Sequence, residues 1–136
     1  MTATVSLIQA YYNAFNRGDV EAMLALLTDD VVHDINQGGR ETGIDAFRAF
    51  MARMNHSYSE QLTNIVVMQN EAGTRAAAEF TVHGIYKVAD EGLPPAHGQN
   101  YLLPAGAFFE VRDGRIARVS NFYNLPDWIK QVDEKK

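Results

Sequence analysis

The stretch Ala107-Phe108-Phe109-Glu110-Val111-Arg112-Asp113-Gly114-Arg115-Ile116-Ala117-Arg118-Val119 decides the fold. Asp-Gly between two apolar runs signals a hairpin, because both residues tolerate the positive φ of a tight turn. It joins strands expected at 99 to 112 and 115 to 124. Upstream, the same period of two runs through 59 to 69 and 74 to 88. Glu71-Ala72-Gly73 and the longer Asp90-Glu91-Gly92-Leu93-Pro94-Pro95 supply the connections. Downstream, Leu125 to Val132 reads as a short terminal helix carrying Trp128.

Before residue 59 the period is helical. Leu7, Ile8, Tyr11, Tyr12 and Phe15 form one face of a helix over 4 to 17. Gly18 stops it, and Asp19 caps a second helix over 20 to 27 that buries Val20, Met23, Leu24 and Leu27. Thr28-Asp29-Asp30 ends that helix, a strand follows at 31 to 35, and Asn36-Gln37-Gly38-Gly39 turns. Thr42 and Asp45 read as a capping box opening a third helix to about 55, with Phe47, Phe50, Met51 and Met54 on its apolar stripe. Three N-terminal helices followed by strands define an α+β fold, with the helices packed on one face of a curved, mostly antiparallel sheet. Residues 1–132 are expected to form one domain and 133–136 a charged tail.

Composition removes several function classes. The chain has 136 residues, a net charge of -5 and no cysteine. That excludes disulfides, thiol nucleophiles and thiolate metal sites. The basic residues are scattered, so no face suits nucleic acid. No apolar run reaches membrane-spanning length, and the first residues lack a basic, apolar leader, which leads us to expect a cytoplasmic protein. His33, His56, His83 and His97 show no metal-ligand spacing, and neither a nucleophile elbow nor a phosphate loop is present. No metal and no cofactor are expected.

The residue that points to chemistry is Asp34, in the apolar run Val31-Val32-His33-Asp34-Ile35. A carboxylate placed among apolar groups is desolvated, which raises its pKa and makes it a usable base. The alternatives are a turn cap or an ion pair with Arg40. Tyr11 is either a hydroxyl donor to an oxyanion or amphipathic core. Neighbouring strand residues face opposite sides, so an inward Asp34 turns His33 outward. The same parity groups Phe80, Val82, Gly84 and Tyr86 on one face, and Glu79, Thr81 and His83 on the other. Leu102, Phe108 and Ile65 make the strands apolar on both parities, so something covers the second face, and a second copy of the chain is the economical cover.

Tyr11-Tyr12-Asn13-Ala14-Phe15-Asn16-Arg17-Gly18-Asp19, then Leu26-Leu27-Thr28-Asp29-Asp30, then Val32-His33-Asp34 resembles the ketosteroid isomerase branch of the NTF2-like superfamily. SnoaL-like polyketide cyclases and limonene epoxide hydrolases share that fold. The resemblance implies a cone-shaped NTF2-like (cystatin-like) fold, commonly dimeric through its sheet. It places Asp34 on the general base and Tyr11 on the oxyanion donor. It turns Phe80, Val82, Tyr101, Phe109, Asn121 and Tyr123 into the cavity, with Phe50 and Met54 on the third helix, to bind a small apolar molecule, cyclic or steroid-like. The chain departs from the pattern at Ala107, where a second acid is expected, and at Asn121, where the cyclases carry a base. No Asp-Arg-Asp set matches the epoxide hydrolases. The implied function is a ketosteroid isomerase-like enzyme, working by proton transfer alpha to a carbonyl or by water activation. Its rivals are a non-catalytic binding protein for a small apolar ligand, a cyclase or epoxide hydrolase activity, and a protein-interaction domain.

Overall fold

Local capping sets where the helices begin and long-range strand pairing sets where several of them end. The structure is a computed structural model and describes residues 2–133. Helix α1 (Ala3–Asn16) starts where the Thr2 hydroxyl accepts the Val5 N–H, and it buries Ile8, Tyr11 and Tyr12. Helix α2 (Val20–Leu24) is capped by Asp19, as its sequence indicates, through the Ala22 N–H. It stops short of the expected residue 27, because Leu27 leaves to pair with Ile116. Strand β1 (Leu27–Asp34) therefore absorbs Thr28-Asp29-Asp30, with an irregular register between Leu27 and Val32.

A short strand β2 (Arg40–Thr42), not visible in the periodicity, pairs back on β1. Thr42 lies in that strand, so the expected capping box does not form. The N-cap of α3 (Ile44–Ser57) is Gly43 at φ 101, a conformation closed to most side chains, and no side chain caps the helix. Strands β3 (Tyr58–Gln69), β4 (Arg75–Tyr86), β5 (Gln99–Arg112) and β6 (Arg115–Tyr123) follow, then α4 (Leu125–Val132). Asp113 and Gly114 both take positive φ, 52 and 77, as the hairpin reading requires.

The sheet is curved and unclosed, in the order β2-β1-β6-β5-β4-β3. Only β1 and β6 run parallel among these pairs. Register shifts in β3 near Asn64 (φ 54) and in β5 at Glu110 bend the sheet. The helices cover one face: Tyr12 packs on Phe80 and Phe109, Phe47 and Phe50 flank His33, and Trp128 meets Tyr58, Tyr86 and Tyr101. The other face carries Val66, Met68, Ile85, Leu102, Phe108 and Phe122, each 42 to 55% exposed. Phe108 and Phe122 touch edge to face there, 5.6 Å apart. Asp133 caps α4, and the rest of the expected charged tail lies outside the described residues. Among the described residues no helix is long and apolar enough to cross a membrane.

Candidate active site

Strand alternation places the inward residues largely where the sequence suggests. Phe80, Val82, Tyr101, Phe109, Asn121 and Tyr123 share the helix-facing side, in register across β4, β5 and β6. Phe109, Val82 and Tyr101 are buried in the core, while Phe50, Met54, Phe80 and Asn121 are half-buried and Tyr123 is exposed. The half-buried set and Tyr123 are the inward positions that stay accessible. Two open grooves lie elsewhere. One of about 320 Å³ lies between Glu21 and Arg115, and one of about 500 Å³ runs along Ser59, His83 and Leu102; neither includes Asn121, Phe50 or Met54.

Asp34 corrects the expected orientation. Val31 and His33 are fully buried on the inner side, and Asp34 points to the other face. There Arg40 holds it in a two-pronged pair, Nε to Oδ1 at 2.6 Å and Nη2 to Oδ2 at 3.1 Å. The Ser120 hydroxyl donates to Oδ2 at 2.5 Å, and Arg118 links Ser120 to Glu110. The Arg40 hydrogen bonds outweigh desolvation, so the Asp34 pKa is lowered to about 2, not raised. The physical reason is the cross-strand pairing: the cations stand on the outer face, at the partner positions of Asp34 and beside it. Inside, Asp34 would have met Phe47 and Phe50 instead.

This pair makes stability depend on acid. A lowered folded-state pKa stabilises above the ordinary carboxylate pKa and is lost as pH falls through about 2. Because Arg40 is 60% exposed, Asp34→Asn is expected to cost only about 1 kcal/mol at pH 7. Urea titrations should show that difference shrinking toward pH 2, and turnover should be unchanged.

A different carboxylate occupies the inner face. Glu60 stands in a cross-strand row with Gly84 and Tyr101. The Tyr101 ring lies across Gly84, where a Cβ would come within 2.1 Å of it, and its hydroxyl donates to Glu60 Oε2. Burial raises the Glu60 pKa, and the Tyr101 hydrogen bond only partly offsets this. Tyr58 donates to Asp90 at 3.0 Å, and Tyr123 feels the Glu60 charge. The pKa values of all three tyrosines rise, chiefly through burial, so they stay protonated donors. The loop carrying Asp90 is pinned by Tyr86, which donates to the Pro94 carbonyl and accepts from the Asp90 N–H.

Tyr11 is buried, and burial alone raises its pKa, with no hydrogen bond or charge contributing. The neighbouring Tyr12 hydroxyl is buried without a partner. His33 is the second polar group the sequence reading turned the wrong way. Its ring sits between Phe47 and Phe50 at 4.8 and 4.5 Å, and burial lowers its pKa. Its Nε2 lies 3.3 Å from the Asn121 amide nitrogen. Glu60 escaped the sequence reading although its parity with Tyr58 and Leu62 put it on the apolar face. No group of metal-ligating residues occurs among the described residues.

Helices on one face of a curved, open sheet define an α+β fold of the NTF2-like kind. The chain belongs to the SnoaL-like domain family, which matches residues 8–119. It is similar to a candidate polyketide cyclase of Pseudomonas putida KT2440, 63% identical over 98% of this chain and 99% of that one, TM-score 0.95. A candidate polyketide cyclase of Xanthomonas campestris pv. campestris is 61% identical over 96% and 97%, TM-score 0.94. An LEH-like epoxide hydrolase of M. tuberculosis shares the fold at 20% identity over 96% and 84%, TM-score 0.72. No curated protein sequence matches the chain.

Proposed function

We propose that this chain is a small-molecule enzyme that removes a proton alpha to a carbonyl of an apolar, cyclic or polyketide-like substrate. Glu60 is the base. One observation supports the reading above all: an inward carboxylate whose pKa is raised by burial and whose Oε2 is held by Tyr101. Such a group accepts a proton near neutral pH far better than an exposed glutamate. The carbon–hydrogen electron pair becomes an enolate, whose oxygen takes a hydrogen bond from a tyrosine hydroxyl, with Tyr123, which feels the Glu60 charge, the candidate. In a polyketide-like substrate the enolate carbon then attacks a second carbonyl and closes a ring, and the resulting alkoxide takes back the proton held by Glu60. The ketosteroid isomerase pairing of Asp34 with Tyr11 is set aside because Asp34 is bound to Arg40 on the other face. Hydrogen–deuterium exchange at the alpha carbon of 2-tetralone, followed by NMR, reads the proton abstraction directly. Exchange above the buffer rate supports the function; none across a panel of cyclic ketones and 5-ene-3-ketosteroids overturns it.

We further propose that the apolar outer face pairs with a second copy. Phe108, Phe122, Leu102 and Met68 stand about half exposed on the same sheet face, large apolar side chains that a second copy would cover. Sedimentation at low micromolar protein should find a dimer. Phe108→Glu combined with Phe122→Glu should give a folded monomer, and a wild-type monomer would contradict the pairing.

A further inference from the structure

The surroundings of His33 favour one ring tautomer, and burial, which lowers its pKa, favours the neutral ring. The Asn121 Nδ2, a donor, lies 3.3 Å from Nε2. With Nε2 accepting, the ring proton belongs on Nδ1. That Nδ1 is buried and has no partner. Directly across the strand pair, Glu41 is the register partner of His33. Arg40 and Thr42 turn to the other face, so Glu41 shares the inner face with His33. Its Oε1 is likewise buried without a partner, and its charge favours a proton on the His33 ring. An unpaired buried donor and an unpaired buried acceptor thus stand on neighbouring strands, at cross-strand pair distance.

We infer that Glu41 and His33 form a positioning pair that fixes the Asn121 carboxamide with its oxygen toward the accessible inward positions. Glu41 accepts from Nδ1–H, directly or through one buried water, and so pins the tautomer. Nε2 then takes an Asn121 N–H, which leaves Oδ1 to accept on the inner face that Asn121 shares with Tyr123. That presents an acceptor, so the ligand class is one that donates an O–H there: a phenol, an enol or an alcohol. The opposite tautomer would turn the Asn121 amide round and present N–H groups instead, favouring a carbonyl. This deepens the small-molecule reading by naming the ligand group, but the tautomer does not depend on Glu60 being a base.

Long-range ¹H–¹⁵N correlation on the full chain reads the tautomer without any turnover. The expected result is an Nδ1–H ring for His33 in the wild type and loss of that single tautomer in Glu41→Leu, which removes the acceptor; Glu41→Gln, which keeps an acceptor oxygen, should retain it. An Nε2–H ring, or a Glu41→Leu spectrum identical to wild type, overturns the pair. If Glu41→Leu fails to fold, the wild-type tautomer decides alone. The ligand half is tested with 2-naphthol against 2-methoxynaphthalene. Wild type should prefer the naphthol by about three- to tenfold, the worth of one hydrogen bond, and Asn121→Leu should erase the preference. Equal binding of the two probes, or binding of neither, overturns the hydroxyl-reading role. Failure of Glu60→Gln to affect catalysis would overturn the base assignment and leave the tautomer result standing.

Discussion

Glu60→Gln is expected to lower alpha-proton exchange by roughly 10²–10⁴-fold while making the protein more stable at pH 7. The two effects have one cause. Burial raises the Glu60 pKa by more than the Tyr101 hydrogen bond lowers it, so holding the charged form costs folding free energy. A raised carboxyl pKa means that the folded state binds the proton more tightly. Its contribution is therefore fully present below the unfolded value of 4.5 and is lost as pH rises through the folded value. Glutamine keeps an oxygen for the Tyr101 hydroxyl and has no charge to bury. Its stabilising effect, about 0.5–2 kcal/mol, should appear in denaturant titrations at pH 7 and vanish near pH 4. A structural carboxylate would behave otherwise, as Asp34 does. There the ion pair with Arg40 lowers the pKa, and substitution is expected to destabilise. A fully active Glu60→Gln would remove the base assignment.

That contrast also explains what the sequence could disclose. The β5–β6 hairpin and the terminal helix were legible because local chemistry sets them: Asp113-Gly114 turns the chain, and Asn124 with Pro126 opens α4. Inward parity across β4, β5 and β6 was legible for the same reason, since alternation is a property of each strand. The faces of β1 were not. Val31-Val32-His33-Asp34-Ile35 is apolar on both parities, so periodicity cannot choose between His33 and Asp34. The choice is made by residues remote in sequence, Phe47 and Phe50 on one side and Arg40, Arg118 and Ser120 on the other. β2 failed to register because three residues carry no period, and its pairing with β1 takes Thr42 away from the expected cap. Glu60 was accessible in principle, because an acid on the parity of Tyr58 and Leu62 is a local anomaly.

The row Glu60–Gly84–Tyr101 ties the base to a glycine, and Gly84→Ala is the most direct way to break it. The added methyl would sit 2.1 Å from Tyr101 Cζ and 2.5 Å from its hydroxyl oxygen, so the ring must leave. It has little room, being 4% exposed and packed edge to face on Trp128 at 5.8 Å. Overpacking of this kind costs about 1–3 kcal/mol. Losing a hydrogen bond to a charged group adds about 1.5–3 kcal/mol, because Glu60 is left buried without its donor. Together, roughly 2.5–6 kcal/mol of stability should be lost at pH 7, measured by urea titration. Below pH 4 a neutral Glu60 needs Tyr101 less, and the loss should fall toward the packing term alone. A cycle with Tyr101→Ala separates the causes: once the ring is gone the methyl at position 84 meets nothing, so the two substitutions should cost far less together than their sum. Purely additive effects would mean that Gly84 is needed for its backbone, and that the Tyr101 ring does not owe its reach to Glu60 to the missing side chain.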